Sequence, residues 1–154
     1  MSELEKIVWT AAFTIFGGVL VYVIGQLLSK FLIDPTHELK KVIGEVRFNL
    51  AFYAPTILTP IARTPERSDK AYEALLKSSC ELLAKVNAIP FYGLVSCISF
   101  GFLPSKKHIR DAATQLRGLS TNMHETGDKA NSHVEIIGNR VAKIEKCLNL
   151  ESLE

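Results

Sequence analysis

Residues 7–28 read IVWTAAFTIFGGVLVYVIGQLL, an uncharged run that begins directly after Lys6 and ends shortly before Lys30. At a rise of about 1.5 Å per residue, a helix of this length extends about 33 Å, whereas the hydrocarbon core of a bilayer is about 30 Å thick. The run therefore predicts a transmembrane helix, and the rest of the chain is expected to form a domain attached to it.

The first residues, MSELEK, favour a retained anchor over a cleaved signal peptide. A secretory signal has a basic start and an apolar core of roughly 7–15 residues, but this start is acidic and the core is longer. A buried helix of a soluble protein is disfavoured by Gly17, Gly18 and Gly25, because glycine weakens helices in water and is commoner in transmembrane segments.

Basic residues flank the span unequally. Lys6 precedes it, whereas several basic residues follow within about 20 residues of its end: Lys30, Lys40, Lys41 and Arg47. Because Lys and Arg beside a span favour the cytoplasmic side, we expect a single-pass protein of the cell inner membrane with its C-terminal domain in the cytoplasm.

Small residues recur on one face of the span, with Val21 completing a spacing of three and four residues: Ala11, Thr14, Gly18 and Gly25. Such a strip lets two helix backbones approach closely, which predicts self-association through the membrane. The alternative interpretation is that glycine and threonine are simply common in transmembrane helices.

Proline and capping signals divide the residues that follow the span. Asp34 and Pro35 predict the N-cap and first position of a helix that continues to Ala54, where Pro55 is expected to end it. Residues 55–64 carry two prolines and no period, which predicts a loop.

Three further helices are predicted. Thr64 and Pro65 repeat the start signal for a helix that reaches about Ala88, and Ser105 is expected to cap the next one. The last helix has the most regular apolar pattern: Ala130, Val134, Ile137, Val141, Ile144 and Leu148. Such a helix joins an antiparallel bundle or pairs with a second copy as a short coiled coil, and the bundle is favoured within one small domain.

The sequence therefore predicts an all-α fold, in which one N-terminal transmembrane helix is followed by an antiparallel four-helix bundle with an apolar membrane-proximal connector. The expected division is residues 1–33 for the transmembrane anchor, 34–150 for the bundle domain and 151–154 for the tail. The connector, residues 89–103, lies within the bundle domain.

The connector reads IPFYGLVSCISFGFL and carries no charge. In an up-and-down bundle it lies at the membrane-facing end, where it forms an interfacial hairpin, a buried connector or a second span. A second span is disfavoured, because the stretch is short and a crossing would export the basic residues that follow. Lys106 and Lys107 are expected either near anionic lipid headgroups or in a solvated first turn of the next helix. The candidate membrane-proximal residues are Phe91, Tyr92, Phe100, Phe102, Lys106 and Lys107.

Signals for catalysis are missing from the sequence, which contains no phosphate loop, nucleophile elbow, zincin helix or dinucleotide fingerprint. The net charge of +2 and the scattered basic residues argue against nucleic-acid binding. The histidines do not follow a metal-ligand spacing: His37, His108, His124 and His133. The cysteines are interpreted as free thiols, the first and last of them in the core: Cys80, Cys97 and Cys147. We expect no enzyme activity, metal, cofactor or small-molecule substrate.

Two segments carry a resemblance to known proteins. They are FLIDPTHELKKVIGEVRFNLAFYA at residues 31–54 and the pattern IPFY…PSKK…LRGLS at residues 89–92 and 104–120. In these segments the chain resembles a group of bacterial single-span membrane proteins with a small helical cytoplasmic domain and no assigned activity. The resemblance implies a bacterial inner-membrane location and transfers no site residue.

The sequence alone favours a non-catalytic, membrane-anchored helical interaction module that serves as an adaptor or a sensor. Its expected partners are the lipid bilayer and either a protein partner or a second copy of the chain, with self-association through the span as an additional hypothesis. The alternative is a membrane-active effector or channel-like protein in which residues 89–103 insert into the bilayer.

Overall fold

The computed structural model describes residues 3–59, 63–98, 103–124 and 134–151. Within these ranges the chain is helical and contains no strand, as expected for an all-α protein. A π-helical turn occupies Ser29–Ile33 and a 3₁₀ turn occupies Asn122–His124. The α-helices are α1 (Glu3–Leu28), α2 (Asp34–Phe52), α3 (Ala54–Leu58), α4 (Pro65–Ala88), α5 (Tyr92–Ile98), α6 (Lys106–Thr121) and α7 (Val134–Leu148).

The N-terminal helix is long and apolar enough to cross a membrane, and it is the one such helix among the residues that the structure describes. None of the residues of α1 is buried. Since water-exposed apolar surfaces of this extent are rare in soluble proteins, the exposure of α1 is consistent with a lipid environment.

α1 and α2 form one continuous helix of 50 residues that includes the π turn. The predicted helix start with Asp34 as N-cap is therefore wrong. The preceding Ile33 has helical backbone angles, and no side-chain hydrogen bond caps α2. The domain is thus joined to α1 by continuous helix rather than by a linker.

The π turn explains how the helix continues through Pro35. Proline lacks an N–H, and in an α-helix its ring would clash with the carbonyl of the residue four positions earlier. In the π turn the Asp34 N–H donates to the more distant Ser29 carbonyl, which widens the helix before the proline. The Thr36 hydroxyl donates to the Leu32 carbonyl at 2.6 Å, which satisfies an oxygen near the proline.

The core of the domain is formed by the apolar stripes of four helices. α4 packs against both α2 and α6, and α6 packs against α7. Fully burying one large apolar side chain stabilises a fold by about 1.5–3 kcal/mol. The largest buried aliphatic side chains include Leu39, Leu50, Leu75, Leu82, Ile109, Leu116, Leu119, Ile137 and Ile144.

Most helix ends follow the predicted signals. α4 starts at Pro65 and ends at Ala88, and the Ser105 hydroxyl caps α6 by accepting the His108 N–H at 3.2 Å. The loop predicted for residues 55–64 is partly wrong, because α3 occupies its first part. Pro55 is tolerated there because the first helical turn does not need its missing N–H.

We expect Leu116→Ala to lower the free energy of unfolding by about 2–5 kcal/mol, because it leaves a cavity at a fully buried position. The reporter is the thiol of buried Cys147, which reacts only when the domain opens, in detergent-solubilised full-length protein carrying Cys80→Ser and Cys97→Ala. The control is Thr114→Ala at an exposed position of α6, which should change the labelling rate little.

Candidate interaction surfaces

The predicted packing residues of the span share one exposed face of α1: Ala11, Thr14, Gly18 and Gly25. At about 100° per residue, they fall within about 60° around the helix axis. Nothing lies within 4 Å of the position that a Cβ would take on Gly18 or Gly25, so another helix can approach the backbone there. The Thr14 hydroxyl donates to the Thr10 carbonyl at 2.9 Å and is satisfied within the helix.

Bulky side chains occur all around α1, with Ile15 and Tyr22 beside the small residues and a larger group on the opposite face. Trp9 and Phe13 lie there with their ring centroids 5.8 Å apart, and Phe16 and Leu20 follow on the same side. The small residues of α1 are therefore bordered by bulky side chains rather than separated from them.

The connector begins and ends at the same place in the fold. Tyr92 is only 4% exposed, and its hydroxyl donates to the Pro104 carbonyl at 2.6 Å. Ile89, Val95 and Leu103 are buried in the same core. α5, which lies between these ends, is about 10 Å long, a third of the ~30 Å hydrocarbon core. The hydrogen bond and the burial that bring the two ends of the connector together favour a connector docked on the domain over a second span.

The six predicted membrane-proximal residues do not share one environment. Phe91 is 79% exposed, and its φ of 51° turns the backbone so that Tyr92 can enter the core. Lys106 and Lys107 are exposed in the first turn of α6. Phe100 and Phe102 lie outside the residues that the structure describes. Of the four that the structure describes, Phe91, Lys106 and Lys107 form an exposed rim, whereas Tyr92 packs in the core.

An exposed aromatic cluster near the end of α2 was missed by sequence reasoning. Phe48 and Phe52 are 64% and 54% exposed, and their nearly parallel rings have centroids 5.6 Å apart. Tyr53 meets Phe52 edge-on at 5.0 Å. Two shallow grooves between α2 and α4, of about 300 and 290 Å³, border these rings. The signal was present, since both phenylalanines lie off the apolar stripe that α2 buries.

Among the described residues, the histidine and cysteine side chains do not form a catalytic or metal-binding cluster. The His124 imidazole lies 3.7 Å from the Asp69 carboxylate, and its ring centroid is 4.8 Å from that of Tyr72. Within the described ranges, no three His, Cys, Asp or Glu side chains form a group that could hold a metal ion. Cys80 is exposed, so the prediction that it lies in the core is wrong. It directly follows Ser79, which belongs to the buried stripe of α4. Cys147 is buried, as expected.

No protein-family model, curated protein or solved structure matches the chain. A function is therefore inferred from the surfaces of the chain itself.

We expect Tyr92→Phe to weaken the closure of the connector by about 1 kcal/mol, because it removes the hydrogen bond to the Pro104 carbonyl. The measurement is amide hydrogen exchange of the peptides that cover residues 89–103. Tyr53→Phe, at a half-buried position in a different part of the domain, is the matched control. Equal exchange in Tyr92→Phe and the unmodified protein would contradict the role given to this bond.

Stability is also expected to fall at high pH through Tyr92. Burial raises the pKa of Tyr92 to about 12, so the folded state keeps a proton that the unfolded chain loses above about pH 10. The contribution is fully present below about pH 10 and is lost as the pH rises towards 12. A denaturant titration between these pH values should show a smaller loss of stability in Tyr92→Phe than in the unmodified protein.

Proposed function

We propose that this chain is a non-catalytic interaction module, anchored in a bacterial inner membrane by α1, that carries its helical domain in the cytoplasm and self-associates through its span. The observation that carries the proposal is an entirely unburied apolar helix that continues without a linker into a packed helical domain. This arrangement suits an adaptor or a sensor, because a change at the span is transmitted to the domain by a rigid element.

The junction supports a retained anchor. Leu32, in the π turn, packs against the core of the domain, and the same helix continues to Phe52. Removal of the apolar segment as a signal peptide would expose this packed turn as a helix end.

The domain is proposed to be an antiparallel four-helix bundle of α2, α4, α6 and α7. Two contacts between α2 and α4 support opposed directions: the Asn49 amide donates to the Ser78 hydroxyl at 3.0 Å, and the Lys85 ammonium lies 3.5 Å from the Glu38 carboxylate. The hydrogen bond from Lys41, together with the charge of Lys85, lowers the pKa of Glu38. These contacts support a connector that starts near the membrane end of α2.

The connector is proposed to rest on the domain and to touch the bilayer only at its rim. The buried side chains at its two ends and the Tyr92 hydrogen bond favour this arrangement over a membrane-active effector that inserts residues 89–103. An exposed aromatic ring beside basic residues is typical of the membrane interface. Phe91, Lys106 and Lys107 provide this combination.

The topology is tested by the thiol of exposed Cys80, in full-length protein carrying Cys97→Ala and Cys147→Ala. We expect a membrane-impermeant maleimide to label Cys80 in inverted inner-membrane vesicles and not in intact cells. The chain should also stay in the membrane fraction after alkaline extraction. Labelling in intact cells would overturn the cytoplasmic location, and release by alkali would overturn the anchor.

A further inference from the structure

We infer that the exposed rim formed by Phe91, Lys106 and Lys107 binds anionic phospholipids of the bilayer that holds α1. The inference rests on the proposed membrane anchor and names the class of lipid that this surface selects. The aromatic ring supplies an apolar contact at the interface, and the two ammonium groups supply the attraction to the lipid phosphates.

Contacts between α2 and α4 place this rim at the end of the domain that adjoins α1. The Lys85 ammonium lies 3.5 Å from the Glu38 carboxylate, so the last turn of α4 is beside the start of α2. Ile89 follows α4 directly and is buried in the core against which Leu32 of the π turn also packs. The connector that carries Phe91 therefore begins next to the junction of α1 and α2.

The length of helix between α1 and α2 matches the thickness of the headgroup layer. From Leu28, the last residue of α1, to Asp34, the first of α2, the helix rises by at most about 9 Å. A bilayer with a hydrocarbon core of about 30 Å has a headgroup region of about 5–8 Å on each side. When α1 crosses the core, the start of α2 and the connector beside it consequently lie at the level of the headgroups.

One hydrogen bond brings the aromatic ring and the lysines to the same end of the domain. The Tyr92 hydroxyl donates to the Pro104 carbonyl at 2.6 Å. Phe91 directly precedes this tyrosine, and Lys106 follows Pro104 by two residues. The ring and the start of α6 are therefore held near each other although 14 residues separate them in the sequence.

The basic residues of this rim are not balanced by acidic neighbours in the sequence. Residues 89–110 contain Lys106, Lys107 and Arg110, and the first carboxylate after α4 is that of Asp111. The three basic side chains are exposed. Among the described residues, neither lysine lies within salt-bridge distance of a carboxylate. Their charges are thus available to lipid phosphates.

The nearby charges of α2 and α4 leave this excess in place. The Glu38 carboxylate lies 2.7 Å from the Lys41 ammonium and 3.5 Å from that of Lys85, so it already has two basic partners. Asp34 is exposed at the start of α2, and Lys30 precedes it by four residues on the same helix. This end of the domain therefore presents a net positive charge to the membrane surface, which attracts anionic lipid.

Phe91 favours a lipid over a free anion in solution as the occupant. Its side chain is 79% exposed, the highest value among the large apolar side chains that the structure describes. The left-handed backbone, with φ of 51°, holds the ring outside while Tyr92 enters the core. A free anion gains nothing from such a ring, whereas aromatic side chains are enriched where a protein meets the membrane interface.

The test uses full-length protein in vesicles of phosphatidylcholine mixed with a smaller share of phosphatidylglycerol. Trp9→Phe removes the one tryptophan of the chain, and Phe91→Trp places a fluorescent ring at the proposed contact. The quencher is bromine on the lipid chains, carried either by the phosphatidylcholine or by the phosphatidylglycerol at the same overall composition. Gly93→Trp is the second reporter, because Gly93 is exposed and nothing lies within 4 Å of its Cβ position.

We expect brominated phosphatidylglycerol to quench the tryptophan at position 91 more strongly, mole for mole, than brominated phosphatidylcholine. A lysine at an anionic surface contributes up to about fivefold to association, so Lys106→Gln with Lys107→Gln should remove most of this preference. Salt of about 1 M, at which the Debye length is about 3 Å, should do the same.

The matched control removes the same charge from the other end of α4. Arg67 and Lys70 are exposed near its first residue, about 30 Å from its last turn. Arg67→Gln with Lys70→Gln should keep the preference for phosphatidylglycerol. Loss of the preference in both pairs of substitutions would indicate a general attraction of charge and would overturn the assignment to this rim.

The remaining results separate this inference from the proposed anchor. Equal quenching by the two brominated lipids would overturn the selection of anionic lipid and leave the contact with the bilayer intact. No quenching at position 91 or 93 would overturn the inference as well, because the rim would then lie outside the interface. Resistance of the same variants to alkaline extraction reports separately on the anchor.

Discussion

The continuity of the backbone hydrogen bonds through Pro35 is the constraint on which the arrangement of this molecule depends. A proline after an apolar helix normally ends it, because one N–H is lost and one carbonyl is crowded. Here the π turn at Ser29–Ile33 moves the hydrogen bond to a more distant carbonyl, and Thr36 supplies a hydroxyl donor to another. The helix consequently runs without a break from α1 into the domain.

The two ends of the apolar connector show how it is kept on the domain. Phe91 adopts a left-handed backbone conformation, which costs a non-glycine residue about 1–3 kcal/mol. That cost is offset by burial of Tyr92 and its hydrogen bond to the Pro104 carbonyl. Among the described side chains of the connector, Ile89, Tyr92, Val95 and Leu103 are buried in the core, whereas Phe91 is exposed.

Local signals in the sequence predicted most of the helices, and non-local effects account for the errors. The limits of α4 and the Ser105 cap depend on neighbouring residues only, and both predictions are confirmed. The prediction that a new helix starts with Asp34 as N-cap was wrong, because local capping rules do not consider a π turn. The exposure of Phe48 could be read from its position off the apolar stripe of α2, whereas the groove beside it could not, since that groove depends on where α4 packs.

A continuous helix also changes the energetics of pairing. Under the proposed pairing of α1, the two copies of α2 lie side by side, and a second contact on the same helix would form at an effective concentration that reaches the millimolar range for short connections. Under the same proposal, a ligand or lipid that favours one arrangement of two paired α1 helices also favours the matching arrangement of the domains.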